Sequence, residues 1–288
     1  MKRILIVGVL GMITMSSSSL MGQERSAPAF IKGSGYDSRQ GKERAVAEIK
    51  KLGGKIIVDQ RNPDQPMIGV DFGNTKVTDA DLILFRQLPE LEVLSLSGLG
   101  ITDTGLAHLK DLSSLRLLIL GQTGVTGSGF EHLKGLTKLR ALDLYNCKVT
   151  DDGLAYLKEL TQLEELYLFG TLVSDAGLVN LKGLTKLNSL KLQGTRATSA
   201  GLKHLAGLTN LVFLDLIGLQ VTDADLEQLK GLTNLRTLRL GYTKVTDAGL
   251  PHLKALINLD TLDLTSTKVS DLGIGELRKA LPKVKISH

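Results

Sequence analysis

The chain has 288 residues, of which 42% are apolar and 23% charged, as is typical of soluble globular proteins. Aromatic residues make up only 4% and tryptophan is absent, so the core must be built from aliphatic side chains. The formal net charge of +5 is small and acidic residues are interspersed with the basic ones, which argues against nucleic acid as a partner.

Residues 1–22 have the layout of a secretory signal peptide. Lys2 and Arg3 precede an apolar run of twelve residues, Ile4 to Met15, and small and polar residues follow. The run is shorter than the roughly 20 residues that span a bilayer. We therefore predict a secreted, periplasmic or cell-envelope protein without stable membrane insertion after signal removal. The alternative is an uncleaved N-terminal anchor.

The next segments indicate a linker and a cap. Residues 23–40 are polar, contain Gly and Ser, and are predicted to form a flexible linker. Residues 41–66 contain the stretch GKERAVAEIKKLGGKIIVD, whose pattern predicts an amphipathic helix followed by a strand. This pair is expected to cover the first end of whatever core follows.

A strict internal repeat occupies the rest of the chain. Aligning the sequence on its own apolar residues gives nine starts, each 24 residues after the last: Met67, Leu91, Leu115, Leu139, Leu163, Leu187, Leu211, Leu235 and Leu259. A fixed period of this size predicts a solenoid. We assign residues 67–282 to nine repeats and residues 283–288 to a short closing strand.

Each repeat is predicted to be a short strand, a turn and a short helix. In the fourth repeat Leu142 and Leu144 alternate with other residues at period two, which indicates a strand. Leucines then recur every three residues over 154–160, which indicates a helical face. Thr150 is placed to cap that helix, and Asp151 adds favourable negative charge to its first turn.

One such unit cannot bury its leucines alone, whereas stacked neighbours can. Because strands are narrower than helices, the stack is expected to curve. The predicted fold is an α/β solenoid, a right-handed horseshoe with a parallel sheet on its concave face and short helices on its convex face.

The repeated VTDxGL motif resembles the leucine-rich repeat family, in particular the cysteine-containing subtype of F-box receptors and ribonuclease-inhibitor-like arrays. That subtype has Cys or Asn at the ninth position, where this chain mostly has Thr and once Cys147. The strict, Thr-rich form resembles bacterial secreted versions abundant in planctomycetes. The resemblance covers residues 67–286 and implies a binding scaffold, with diverse partners across the family.

Several polar columns invite a site assignment, and each has a simpler explanation. Four histidines share one column on the outer helices, too far apart to share a metal ion: His108, His132, His204 and His252. The Asp column that follows the cap residue is expected to serve helix capping rather than calcium binding. No catalytic motif is present in the sequence. We predict no enzymatic activity, no cofactor and no metal.

The variable positions lie on the inward side of the strands, where we expect the scaffold to leave residue choice free. Lys191, Asp215, Arg239 and Asp263 occupy the same position in successive repeats, about 4.8 Å apart. They are predicted to form a ladder of alternating charge. Such a ladder can be a self-neutralising structural feature or part of a binding surface.

Aromatic and apolar residues on the same inward side point to a partner site, since exposed apolar patches and tyrosines mark interfaces. Side-chain stacking that only stiffens the sheet is the alternative. The predicted binding residues on the concave face are Ile119, Asp143, Tyr145, Tyr167, Phe169, Lys191, Phe213, Asp215, Ile217, Arg239 and Tyr242.

We predict that the chain is a monomer that binds a protein, with glycan as an alternative ligand because Tyr and Phe can stack on sugars. Two narrower roles come from the family resemblance. One is an enzyme inhibitor of the ribonuclease-inhibitor type. The other is an F-box-like adaptor, which the signal peptide and the short segment before the repeats disfavour.

Overall fold

A helix over Ser38–Lys51 opens the part of the chain that the computed structural model describes, residues 38–288. It begins three residues before the predicted cap, because Arg39 and Gln40 are good helix formers and Arg39 pairs with Glu43 at 3.2 Å. The predicted signal peptide and most of the predicted linker lie outside the described residues. Within residues 38–288, no helix has the length and apolar character needed to cross a membrane.

The chain forms two units, which divide between Leu142 and Asp143, inside a strand. In the first unit the opening strand is antiparallel to the second, and parallel pairing follows. In the second unit the strands from Glu165–Tyr167 to Lys285–Ser287 are parallel neighbours in chain order. The strands β1 to β11 of the described residues are Lys55–Val58, Met67–Asp71, Val93–Ser95, Leu117–Ile119, Ala141–Asp143, Glu165–Tyr167, Ser189–Lys191, Phe213–Asp215, Thr237–Arg239, Thr261–Asp263 and Lys285–Ser287.

The returns between strands are short helical turns. Four-residue α-helical turns occur at Asp103–Leu106, Asp151–Leu154, Asp175–Leu178, Ser199–Leu202 and Leu250–Leu253. Segments of 3-10 helix occur at Asp79–Gln87, Ser128–Leu133, Leu157–Glu159, Val179–Leu181, Asp223–Leu229 and Asp247–Gly249. Leucines spaced by three residues suit the three-residue turn of the 3-10 helix, so the spacing explains why these returns contain only short helical segments. A longer helix, Asp271–Ala280, precedes the last strand.

The core of each unit consists of the stacked leucine columns. Leu166, Leu190, Leu214 and Leu238, at the fourth repeat position, are all fully buried. At the start of the described chain, Ala45 and Ile49 of the first helix are buried as well. The predicted α/β solenoid, with a parallel sheet and short helices, is therefore confirmed within each unit.

The eighth position of every repeat has left-handed backbone. The φ values run from 53° to 74°, and the residues are Asn74, Gly98, Gln122, Asn146, Gly170, Gly194, Gly218, Tyr242 and Ser266. This conformation lets the chain leave the strand and turn towards the next helical segment. Glycine and asparagine tolerate it best, which accounts for their frequency in this column.

The aspartates of the VTDxGL motif join each repeat to the next. Asp175 is typical, since its two carboxylate oxygens accept hydrogen bonds from the backbone N–H of Thr198 at 2.7 Å and from its hydroxyl at 2.6 Å. The same pair of bonds links Asp79 to Thr102, Asp103 to Thr126, Asp151 to Ser174, Asp223 to Thr246 and Asp247 to Ser270. The predicted capping role of these aspartates takes a form that the sequence did not reveal, because each accepts these bonds from the cap residue of the following repeat.

The glycine of the motif makes room for this inter-repeat bond. A Cβ atom on Gly201 would lie 2.5 Å from Oδ1 of Asp175. One repeat has Ser199 in place of the motif aspartate, and the next repeat has Asp225 in place of the motif glycine. Asp225 accepts hydrogen bonds from the backbone N–H of Thr222 at 2.8 Å and from its hydroxyl at 2.6 Å, within the same repeat. The motif therefore has two alternative forms, each of which satisfies the cap residue.

Cys147 lies at the ninth repeat position and is 2% exposed. Threonines elsewhere in this column donate their hydroxyl to the sixth-position carbonyl, as Thr171 does to Leu168 at 2.7 Å. We expect slow thiol labelling in the native state, and Cys147→Thr within about 1.5 kcal/mol of the wild-type free energy of unfolding because the size is conserved and the column accepts a hydroxyl. Labelling kinetics and urea denaturation test this, and fast native labelling would contradict it.

Candidate binding face

In the second unit the third, fifth and seventh positions of each repeat alternate with the fully buried leucines of the fourth and sixth positions. We call the surface that they form in the second unit, Asp143–His288, the strand face. Its side chains come from β5 to β10 and from the seventh repeat position after each strand. Tyr242, at the eighth position directly after Gly241, is counted with this face as a bordering residue. Ten of the eleven predicted binding residues belong to the second unit. Ile119 belongs to the first unit and is only 2% exposed, so it is not an open contact residue.

The C-terminal part of the strand face carries a paired charge cluster. A guanidinium nitrogen of Arg239, Nη1, lies 3.0 Å from Oδ2 of Asp215, and its Nε lies 3.5 Å from Oδ2 of Asp263. Asp215 is 2% exposed, so the pair is partly withdrawn from water. The pKa of Asp263 is lowered overall. Burial alone would raise this pKa, but the hydrogen bonds from Thr265 and the charge of Arg239 outweigh that effect. This half of the predicted charge ladder forms as expected.

Lys191 does not continue the ladder. Its ammonium nitrogen lies 4.1 Å from the ring centroid of Tyr167 and 5.9 Å from that of Phe213. It forms no ion pair with any residue in the described part of the chain. A cation over two aromatic faces is stabilised by their quadrupoles, which competes with pairing to a carboxylate.

Two acidic residues beside Lys191 are largely buried. Asp143 is 3% exposed, and burial raises its pKa to about 6 against the opposing effects of the Tyr145 N–H and the Lys191 charge. Glu165 is 8% exposed, and burial likewise raises its pKa. The phenol of Tyr167 donates to Glu165 at 2.7 Å, and burial together with this carboxylate raises the pKa of the phenol. The arrangement holds negative charge in a poorly solvated setting.

Aspartate at the fifth position also stabilises the backbone of its own repeat. Asp143 accepts a hydrogen bond from the backbone N–H of Tyr145 at 3.0 Å, and Asp215 accepts one from Ile217 at 3.1 Å. Asp71 and Asp263 do the same two residues on. The expectation that this position is free of structural constraint was therefore wrong wherever it is aspartate.

Aromatic side chains form the apolar part of the strand face. Tyr145, Tyr167, Phe169 and Phe213 are partly exposed and lie outside the leucine core. Ile217 is buried, at 9% exposure. A Cβ atom on Gly194 would lie 3.6 Å from the ring of Phe169, so this ring lies near a position that has no side chain. These residues leave a partly apolar surface beside the charged ones.

Tyr242 stands apart from the other candidates. It is 66% exposed, and its φ of 59° is left-handed, a conformation that costs a bulky residue about 1–2 kcal/mol. The three preceding repeats have glycine at this position, and a Cβ on Gly218 would meet nothing within 4 Å. An exposed aromatic held in strained backbone suggests a contact residue. The frequency of Gly and Asn in the column was the sequence signal that could have revealed the strain.

We expect Tyr242→Gly to raise the free energy of unfolding by about 1 kcal/mol, because glycine relieves the left-handed strain and little packing is lost. The matched control is Gly218→Ala, one repeat earlier with φ of 72°, which should lower stability by about 1 kcal/mol. Urea denaturation of both variants measures the difference. A destabilised Tyr242→Gly variant would show that the ring has a packing role.

The outer histidine column has no geometry of a metal site. Burial lowers the pKa of His108 and of His204, with nearby positive charge acting in the same direction. No group of three His, Cys, Asp or Glu residues that could hold a metal ion occurs within residues 38–288.

No family model and no curated protein matches the chain. Among solved structures it is similar to an internalin C2 from Listeria monocytogenes, at 24% identity and a TM-score of 0.51, over 84% of this chain and 92% of that one. It is also similar to a leucine-rich repeat protein of Leptospira interrogans, at 22% identity and a TM-score of 0.54, over 71% of this chain and 56% of that one. The chain spans about half the length of the latter. These likenesses and the repeat geometry show that the chain has the leucine-rich repeat fold.

Proposed function

We propose that the chain is an exported, non-enzymatic leucine-rich repeat scaffold that binds a protein partner through the strand face. The observation that carries this proposal is a set of four partly exposed aromatic side chains. Tyr167 and Phe213 lie on β6 and β8, and Tyr145 and Phe169 follow β5 and β6. None of them is needed to fill the leucine columns. Aromatic residues that remain at a surface beside charged groups are typical of binding hot spots.

Export rests on the N-terminal pattern of positive charge, apolar run and small residues. An enzyme-inhibitor role would be one form of the same activity, with an enzyme as the partner. Glycan binding draws on the same aromatic side chains, and the experiment below therefore includes it as a separate arm.

The test is a pull-down from the exported fraction of the source cells with the wild-type chain, beside a glycan array. Phe169→Ala and Tyr242→Gly should each weaken binding to the captured protein by about 1–3 kcal/mol, the usual effect of losing an interface aromatic. Both variants should stay folded, since neither side chain belongs to the leucine core. Titration calorimetry gives the affinities and thermal unfolding gives the stabilities.

Ile257→Ala is the matched control, because Ile257 is 75% exposed but lies outside the strand face. It should leave affinity unchanged. Truncation of Tyr167 is a poorer probe, because Tyr167 donates a hydrogen bond to Glu165 and its ring lies under the ammonium group of Lys191. Unchanged affinity in both variants, or binding to glycans alone, would refute the proposal.

A further inference from the structure

The negative charges of the strand face outnumber its positive charges. Its outward positions carry four carboxylates, Asp143, Glu165, Asp215 and Asp263, against two cations, Lys191 and Arg239. With all six ionised the net charge of this set is −2, from four negative and two positive groups. Arg239 contacts both Asp215 and Asp263, so half of the face has its counter-ion in place.

The other half, around Asp143 and Glu165, has its hydrogen bonds only partly formed. One oxygen of each carboxylate is used, Oδ1 of Asp143 by the Tyr145 N–H and Oε2 of Glu165 by the Tyr167 phenol. The second oxygens, Oδ2 and Oε1, accept no hydrogen bond from any described residue. Neither of these two oxygens is fully sealed from solvent.

Carboxylates that are 3% and 8% exposed and lack donors are costly, since burial removes water without replacing it. Lys191 does not supply the missing donors, because its ammonium sits over the rings of Tyr167 and Phe213. The partly exposed rings of Tyr145 and Phe169 lie on the same face. Such rings can pack against the alkyl stem or the flat guanidinium of a long basic side chain.

We propose that the strand face docks a basic segment of a protein partner, with basic side chains donating to the free oxygens of Asp143 and Glu165. Arginine suits a carboxylate better than lysine does, because its planar fork presents several donors in a fixed geometry. This inference rests on the proposed function and adds the chemistry of the partner. Neutral sugars can offer hydroxyl donors to the same oxygens, but they carry no charge, and the test below uses that difference.

The probe is acetyl-arginine amide, with acetyl-citrulline amide as its neutral isostere. Carbon-13 NMR of the Asp143 and Glu165 carboxyl groups reports binding directly. At pH 7.5 the arginine probe should shift both signals, and the citrulline probe should bind about tenfold more weakly, the usual difference for a charge-assisted contact. The affinity of the arginine probe should fall as the pH is lowered through 6, where Asp143 takes up its proton.

Asp143→Asn and Glu165→Gln keep the acceptors for Tyr145 and Tyr167 and remove only the charge, so both should fold. Each should weaken the arginine probe about tenfold. Asp260→Asn, whose carboxylate pairs with Arg236 outside the strand face, is the control and should have little effect. Equal response to arginine and citrulline, or no effect of the two charge-removing variants, would overturn the basic-segment proposal.

Failure of this inference can be told apart from failure of the proposed function. If the arginine probe does not bind while Phe169→Ala still weakens the captured partner, only the basic chemistry is refuted. If the probe binds but no protein is captured through the strand face, the proposed function fails while the cation site stands.

Discussion

Gly201→Ala should lower the free energy of unfolding by about 2 kcal/mol, the usual cost of overpacking a tight site. The added Cβ would lie 2.5 Å from Oδ1 of Asp175 and 2.8 Å from Cδ1 of Leu178. Helix propensity alone predicts the opposite sign, since alanine favours a helical turn over glycine by about 1 kcal/mol. A loss of stability on urea denaturation would therefore show that crowding at position 201 outweighs helix propensity.

The partner variant Asp175→Ala should cost about 3 kcal/mol, because a charged acceptor is removed from the Thr198 N–H and hydroxyl. In the double variant, part of the clash at position 201 disappears with the carboxylate. We expect the double variant to be less destabilised than the sum of the two by about 1 kcal/mol. Strict additivity would show that Gly201 is not there to make room for Asp175.

The chain contains its own control for this prediction. At one junction between repeats, Ser199 replaces the motif aspartate and Asp225 replaces the motif glycine. Asp225 then bonds Thr222, the cap residue of its own repeat. Ser199→Asp alone should destabilise, because the new carboxylate would approach Asp225. Adding Asp225→Gly should recover most of the loss by recreating the common form of the motif. No recovery would mean that the two positions are not coupled.

The repeat itself could be predicted in detail from the sequence. Strand and helical turn follow from two local periodicities, such as the alternation around Leu142 and the three-residue spacing from Leu154. These depend only on which side chains must be buried. A 24-residue period then requires each strand to lie beside its equivalent, and the parallel sheet within each unit follows from it.

The contacts of Asp175 could not be read in the same way, because its partner lies 23 residues away and the periodicity hides the difference between neighbouring repeats. The co-occurrence of Ser199 with Asp225 was the visible clue. The position of Lys191 was unpredictable for another reason. An alternating charge sequence predicts pairing, but the choice between a carboxylate and an aromatic face depends on side-chain geometry that no periodicity encodes.

The burial of Asp143 was also missed, and it leads to the prediction with the largest expected effect. The pKa of this carboxyl is raised from 3.8 to about 6, which corresponds to about 3 kcal/mol between its folded and unfolded states. The folded chain holds this proton more tightly than the unfolded chain does. The group therefore contributes its full stability below about pH 4 and loses it as the pH rises through 6.

Asp143→Asn should remove that dependence, because the amide keeps the Tyr145 N–H bond and cannot ionise. At pH 7.5 the variant should be more stable than the wild type by up to about 3 kcal/mol, and the difference should vanish near pH 4.

Asp263→Asn gives the opposite sign, since the lowered pKa of Asp263 contributes stability above about pH 4 that is lost in acid. Urea denaturation of the three chains from pH 2 to 8 measures both. If Asp143→Asn is more stable at neutral pH yet binds the arginine probe more weakly, the buried carboxylate reduces the stability of the free protein while contributing to ligand binding. A variant that is destabilised at pH 7.5 would show instead that the ionised carboxylate is already satisfied within the fold.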